Sequence, residues 1–128
     1  MKKTIIISAM ALCLTFVTAY AKTSKQQVAH YSVESVFKVS PFCVSIAKGD
    51  IETVIKLIEL GADVNQKSNG MTPVMYAAKF NRTEILKLLI SKDAKLKLKS
   101  DKGKTALDYA ELHGATDAEA ILKEALNK

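Results

Sequence analysis

The feature that most constrains this chain is a motif that returns after 33 residues: Gly70, Thr72, Tyr76 and Ala77 recur as Gly103, Thr105, Tyr109 and Ala110. Four matches in one register mark an internally repeated unit. A period of this size signals small supersecondary units stacked side by side rather than one layered domain. Reading backwards, Ser40-Pro41-Phe42 stands for Thr72-Pro73-Val74, and Ile51 to Ile58 stands for Thr83 to Ile90, now at a spacing of 32. The missing residue falls in the turn between Gly61 and Gly70.

Each unit has a physical logic of its own. Ser40-Pro41 and Thr72-Pro73 are helix starts, because a hydroxyl can cap free helix N–H groups and proline fits the first helical position. Ile51, Val54, Leu57 and Ile58 then follow at helical spacing, as do Ile85, Leu88 and Leu89, so a second, amphipathic helix is expected in each unit. Gly61 stops the first of these helices. Asp93 takes the same place one unit later, and aspartate accepts a left-handed backbone less readily than glycine but better than most residues. Leu96-Lys97-Leu98-Lys99 alternates strictly, which suits an extended hairpin arm with leucine inward and lysine outward. Asn69-Gly70 and Lys102-Gly103 supply turns. Thr116-Asp117-Ala118-Glu119 has the spacing of a capping box and leads into a terminal helix containing Ile121, Leu122, Ala125 and Leu126. A helix pair of this size cannot bury its apolar face alone, so three stacked units are expected to share one core.

The first residues read differently. Lys2 and Lys3 precede an apolar run from Ile5 to Val17 that ends in Ala19-Tyr20-Ala21, the pattern of a Sec-type signal peptide over residues 1–21. An uncleaved membrane anchor is the alternative, but the run is short for a span of about 20 residues. Cys13 invites a lipoprotein reading, against which Leu12 stands where a very small residue is needed. Cleavage after Ala21 leaves Lys22 to Lys128, expected in the periplasm or outside the cell, with no membrane span. It also removes two of the six net positive charges, leaving a moderately basic protein. Cys43 then has no cysteine partner within the chain and reads as buried packing. Residues 22–39 lie outside the repeat. Within them, His30 to Phe37 suits either a short element covering the first repeat or a simple spacer.

At these residues the chain resembles the ankyrin-repeat family, whose pattern of glycine, Thr-Pro-Leu-His, paired alanines, a leucine-rich helix and Gly-Ala-Asp-Val-Asn is matched in pieces. Gly61-Ala62-Asp63-Val64-Asn65 is the most specific of them. The departures are Cys43, Met75 and Asp108 at the family's histidine position, Ala106 for proline, Asn81 for the inter-helix glycine and Lys97 for the final asparagine. They weaken single hydrogen bonds without disturbing the architecture. The resemblance implies an all-α solenoid of about three helix-turn-helix repeats, near 40–66, 67–99 and 100–128, joined by short β-hairpin-like connections.

Catalysis finds no footing in the inventory. His30, His113, Cys43 and the scattered carboxylates share no motif spacing, and Cys43 and His113 fall on different repeats. No metal site or cofactor is expected, since two histidines make no ligand set and the glycines sit at turns or helix stops rather than in a phosphate-binding loop. The resemblance implies binding instead, through a concave face of hairpin tips and inner helices. The tips would present Gln66, Lys67, Ser68, Asn69 and Met71 in one repeat and Lys99, Asp101, Lys102 and Lys104 in the next. The inner-helix ends would add Lys48, Lys79, Phe80, Leu112 and His113.

Lysines ringing a few apolar groups favour an acidic protein partner, with charge steering the encounter and Phe80, Met71 and His113 supplying the desolvated contact. The expected role is a monomeric, non-catalytic binding module of the cell envelope that masks an acidic surface as a protective or inhibitory partner. A loosely binding structural or stress accessory, held to several proteins or to acidic lipid heads by charge alone, is the alternative, and an enzyme of unrecognised type, dependent on Cys43 or His113, is a more distant one. The same lysines also suit a merely solvated face. Nucleic acid is not expected, because no aromatic-and-basic reader motif is present. Tyr76 and Tyr109 recur in register and read as packing residues.

Overall fold

The computed structural model describes residues 38–128. The expected leader over 1–21, and the expected arm over 22–39 up to its last two residues, lie outside the described residues. The described residues form six helices: α1 (Pro41–Lys48), α2 (Ile51–Glu59), α3 (Pro73–Lys79), α4 (Thr83–Ser91), α5 (Ala106–Leu112) and α6 (Thr116–Leu126). They pair as α1/α2, α3/α4 and α5/α6. The inner helices α1, α3 and α5 stack in order, and the outer helices α2, α4 and α6 stack behind them.

One turn chemistry builds every helix pair. Each inner helix ends on a residue with a left-handed backbone: Gly49 (φ 79°), Asn81 (φ 53°) and Gly114 (φ 65°). In all three the amides of the left-handed residue and of the one after it fold back onto carbonyls of the last helical turns, as Asn81 N to Ala78 O (3.3 Å) and Arg82 N to Ala77 O (2.8 Å) do, which leaves no room for a further helical turn. Outer helices α2 and α4 end the same way at Gly61 and Asp93, the pair expected from the sequence.

Small and large side chains alternate in function across the core. Ala77, Ala78 and Ala110 are fully buried and let the inner helices approach closely, while Ile46, Val54, Leu86, Leu89 and Leu122 fill the space between inner and outer layers. Each such Leu or Ile contributes about 1.5–3 kcal/mol through removal from water. Cys43 is buried in the same core, where burial pushes its thiol above the ordinary cysteine range against weaker opposing hydrogen bonds to Ser40 and Ser68. Tyr76 and Tyr109 are buried too, their hydroxyls reaching Ser68 O (2.9 Å) and Ser100 Oγ (3.0 Å) at the base of the two hairpins.

The hairpin-like connections are slighter than an arm of paired strands. At Ser68–Met71 a single antiparallel bridge closes a two-residue turn in which both Asn69 (φ 51°) and Gly70 (φ 80°) are left-handed. This is the primed turn that Asn-Gly favours. The next loop carries one more residue: Ser100 N donates to Lys104 O (2.8 Å) across Asp101, Lys102 and a left-handed Gly103. That residue accounts for the change of period from 32 to 33. Around Leu96–Lys99 the leucines are half-buried and the lysines exposed, as the alternation predicts, but the backbone turns at Leu96 and Lys97 instead of pairing.

The capping box expected at Thr116–Glu119 does not form. Ala115 is the N-cap residue, Thr116 is already helical, and no side chain of α6 caps its own amides. Asn81, from the preceding repeat, does so: its Oδ1 accepts from Ala118 N at 3.0 Å. A reciprocal box forms instead at α5, where Thr105 N donates to Asp108 Oδ2 (2.8 Å) and Asp108 N to Thr105 Oγ1 (3.3 Å).

Candidate functional site

The concave side of the stack holds one groove of about 740 Å³ between the second and third repeats. Two kinds of element shape it. The hairpin tips bring Asn69, Gly70 and Met71 from one side and Asp101, Lys102 and Lys104 from the other, and the last turns of α3 and α5 bring Lys79, Leu112 and His113, with Tyr109 at the floor. Eight of the fourteen residues singled out from the sequence therefore line a single space: Asn69, Met71, Lys79, Asp101, Lys102, Lys104, Leu112 and His113. Their convergence follows from the repeat register, because Lys79 and Leu112 occupy the same position in successive inner helices.

The remaining six lie elsewhere. Lys48 is exposed in the last turn of α1. Gln66, Lys67 and Ser68 line a smaller hollow beside Ser40 and Phe42. Lys99 is exposed on the approach to the second hairpin, where with Lys104 it adds to the field that favours the Asp108 carboxylate. Phe80 caps α3 outside the groove lining and is 42% exposed, with Lys79 Nζ 5.4 Å from its ring centroid, a cation–π contact. The sequence reading missed Gly70 and treated Tyr109 as packing alone, although its edge also faces the groove.

The groove is electrostatically one-sided. Lys79, Lys102 and Lys104 form no ion pair among the described residues. The one carboxylate on the lining, Asp101, is taken up by Lys67 at 3.3 Å and lies against Gly70, whose carbonyl accepts from Asp101 N at 3.0 Å. A Cβ at Gly70 would come within 2.8 Å of the Asp101 carboxylate, an exposed side chain that can swing aside, so it is the left-handed backbone (φ 80°) that favours glycine there. Thus Lys67 and Asp101 are engaged with each other in tying the two tips together. His113 holds its Nδ1 against Tyr109 O at 3.1 Å. Leu112 is 64% exposed, and with Met71 it gives the groove an apolar wall that water covers in the free protein.

Such a surface can hold an acidic loop by charge while burying an apolar side chain. Cys43 is buried with a raised thiol in another repeat, and among the described residues no three His, Cys, Asp or Glu side chains gather to hold a metal ion. No described helix is long and apolar enough to cross a membrane.

Comparison with known proteins gives this geometry its family. The family described as "Ankyrin repeats (3 copies)" matches residues 42–127. A putative ankyrin repeat protein of Rickettsia bellii is 33% identical over 95 residues, covering 69% of this chain and 56% of the relative. Dauer abnormal formation protein 25 of Caenorhabditis elegans is 34% identical over 86 residues, or 66% of this chain and 22% of its own length. Among solved structures, a chain from the complex of a predatory endopeptidase of Bdellovibrio bacteriovorus with an immunity protein superposes with a TM-score of 0.64 at 36% identity, covering 68% of this chain and 47% of that one. The chain spans only 2% to 56% of the length of the curated relatives it matches. Proteins of this family are generally protein-binding modules without catalytic activity. With three helix pairs, a turn chemistry that recurs in each and a family match over two thirds of its length, this chain belongs to the ankyrin-repeat family.

Proposed function

We propose that this chain is a non-catalytic binding module that seats an acidic loop of a partner protein in the groove between its second and third repeats. The observation that carries the reading is the set of three lysines without an ion pair among the described residues, Lys79, Lys102 and Lys104, around the exposed Leu112 and half-buried Met71. Unpaired cations in a concavity raise the rate of encounter with an anionic surface, and burial of Leu112 supplies short-range affinity that charge alone lacks.

The partner works in the cell envelope, since residues 1–21 have the pattern of an export signal. A protective or inhibitory role is supported by likeness to a solved complex that pairs an endopeptidase with an immunity protein. The chain acts as a monomer in this reading, presenting one groove to one target.

The test compares the purified protein with a Lys102→Glu, Lys104→Glu, Leu112→Ala variant of unchanged helical spectrum, both immobilised against envelope extract. One protein retained by the parent, lost by the variant and slowed in its own activity on binding supports the reading; envelope peptidases are the first activities to assay. Retention of the same proteins by both forms refutes the groove. Binding that salt abolishes and that Leu112→Ala alone leaves unchanged points instead to a loose accessory held by charge.

A further inference from the structure

The two tyrosines that recur in register, Tyr76 and Tyr109, use their hydroxyls differently. Tyr76 Oη lies 2.9 Å from Ser68 O. A carbonyl oxygen can only accept, so the phenol proton of Tyr76 is committed. Tyr109 Oη meets a hydroxyl instead, Ser100 Oγ at 3.0 Å. Between two hydroxyls that separation suits a proton from either side.

The surroundings of Ser100 decide which side gives it. A serine hydroxyl has one hydrogen to donate and two lone pairs that accept. The longer second hairpin brings two main-chain amides to Ser100 Oγ, Lys102 N and Lys104 N, each at 3.2 Å, and neither has another acceptor among the described residues. Those two bonds fill both lone pairs. Ser100 is 6% exposed, and its own hydrogen is left to Tyr109 Oη, the remaining polar neighbour among the described residues. The bond therefore runs from Ser100 to Tyr109, and the tyrosine's own hydrogen stays unspent. In the shorter first hairpin Ser68 Oγ receives Ser40 N, from the repeat before, and no amide of its own turn, so the arrangement is particular to the second.

Tyr109 lies at the floor of the groove and is otherwise covered, with 6% of its surface exposed. The groove is thus where its O–H can meet an acceptor. Such a donor differs from the lysines beside it, because it is neutral, is held by a packed ring rather than a flexible stem, and is not screened by salt as exposed charge is. We propose that the Tyr109 O–H donates to a carboxylate of the partner's acidic loop and fixes that side chain at the groove floor, while Lys79, Lys102 and Lys104 balance its charge. This rests on the groove reading above and names the group within it that selects a carboxylate at one position.

The experiment titrates the purified protein with a short labelled peptide of aspartates flanking one leucine, followed by fluorescence anisotropy. Tyr109→Phe keeps the ring and removes the hydroxyl; Tyr76→Phe makes the same change where the proton is already committed. Tyr109→Phe should weaken the peptide about tenfold, the size of a hydrogen bond to a charged group, and by the same factor from about 0.1 to 0.5 M salt. Tyr76→Phe should leave the affinity unchanged. In the unaltered protein the carbon-13 resonance of Tyr109 Cζ should move on binding while that of Tyr76 stays, a readout that needs no variant to fold. The proposal is overturned, and the groove reading survives, if Lys102→Glu, Lys104→Glu weakens the peptide while Tyr109→Phe does not, if both phenylalanine variants weaken it equally, or if bound peptide leaves Tyr109 Cζ unmoved. A peptide that the parent binds no better than the lysine variant does refutes the groove and this inference with it.

Discussion

Replacing Asn81 by the glycine that the repeat pattern prefers should destabilise this protein, although glycine would relax a left-handed backbone at φ 53°. Asparagine tolerates that conformation through its short polar side chain, so the relief is small. Against it stand two losses. The unfolded chain becomes freer with glycine, at a cost of about 0.4–1 kcal/mol. The amide of fully buried Ala118 also loses the Asn81 Oδ1 partner 3.0 Å away, and a buried donor left unpaired costs about 1–3 kcal/mol, less where water reaches it. The net is a destabilisation of about 1–2 kcal/mol, with Tm falling by about 4–8 °C for each kcal/mol in a domain of this size. Asp93→Gly is the control, at a like backbone angle (φ 60°) but with an exposed side chain that bonds nothing among the described residues. Its removal relieves strain and takes a negative charge from the C-terminal end of α4, which offsets the same unfolded-chain cost of about 0.4–1 kcal/mol, so this variant should stay close to the parent in stability. Thermal and urea denaturation followed by circular dichroism measure both. If Asp93→Gly lowers stability as much as Asn81→Gly does, the bond from Ala118 N to Asn81 Oδ1 contributes nothing to stability.

Two further outcomes follow from the same contacts. Arg82→Ala removes Nε and Nη2 donations to Ala47 O at 3.0 and 2.8 Å, bonds from a charged group worth about 1.5–3 kcal/mol together with their partner's burial, and amide exchange should rise first in α1. Acid should weaken the fold below about pH 4: Asp50, held low by hydrogen bonds to Thr53, and Asp108, held low by those to Thr105, both stabilise the folded state when ionised, and that contribution is lost as pH falls through their depressed folded values. An Asp50→Ala, Asp108→Ala variant should show a lower Tm at pH 7 and a flatter fall in Tm under acid than the parent.

Much of this architecture is written locally, and the parts that are not share a cause. Pro41 and Pro73 set helix starts and Asn69-Gly70 sets a turn through their own backbone preferences, so both can be read without knowing the neighbours. The groove lining was legible for a related reason: a fixed period places equivalent residues on one face. Helix α6 defeated the reading because Thr116 satisfies a local capping rule, while the competing donor–acceptor pair, Asn81 and Ala118, is 37 residues apart. Arg82 went unnoticed for the same reason, its partner Ala47 being 35 residues away. Lys67 and Asp101 looked like free surface charges until stacking brought them together.

Residues Asn81 and Arg82 are neighbours, yet one reaches forward to the third repeat and the other back to the first. A stack whose units touched only through apolar faces would fray from either end, each unit melting with its own midpoint. Here a single inter-helix turn is anchored to both flanking units, so losing either end repeat exposes broken polar bonds at the centre. The three repeats should therefore melt as one transition, with no populated form that keeps two repeats and sheds the third. The groove gains from this, because Lys79 and Leu112 hold their spacing only while the second and third repeats stay locked together.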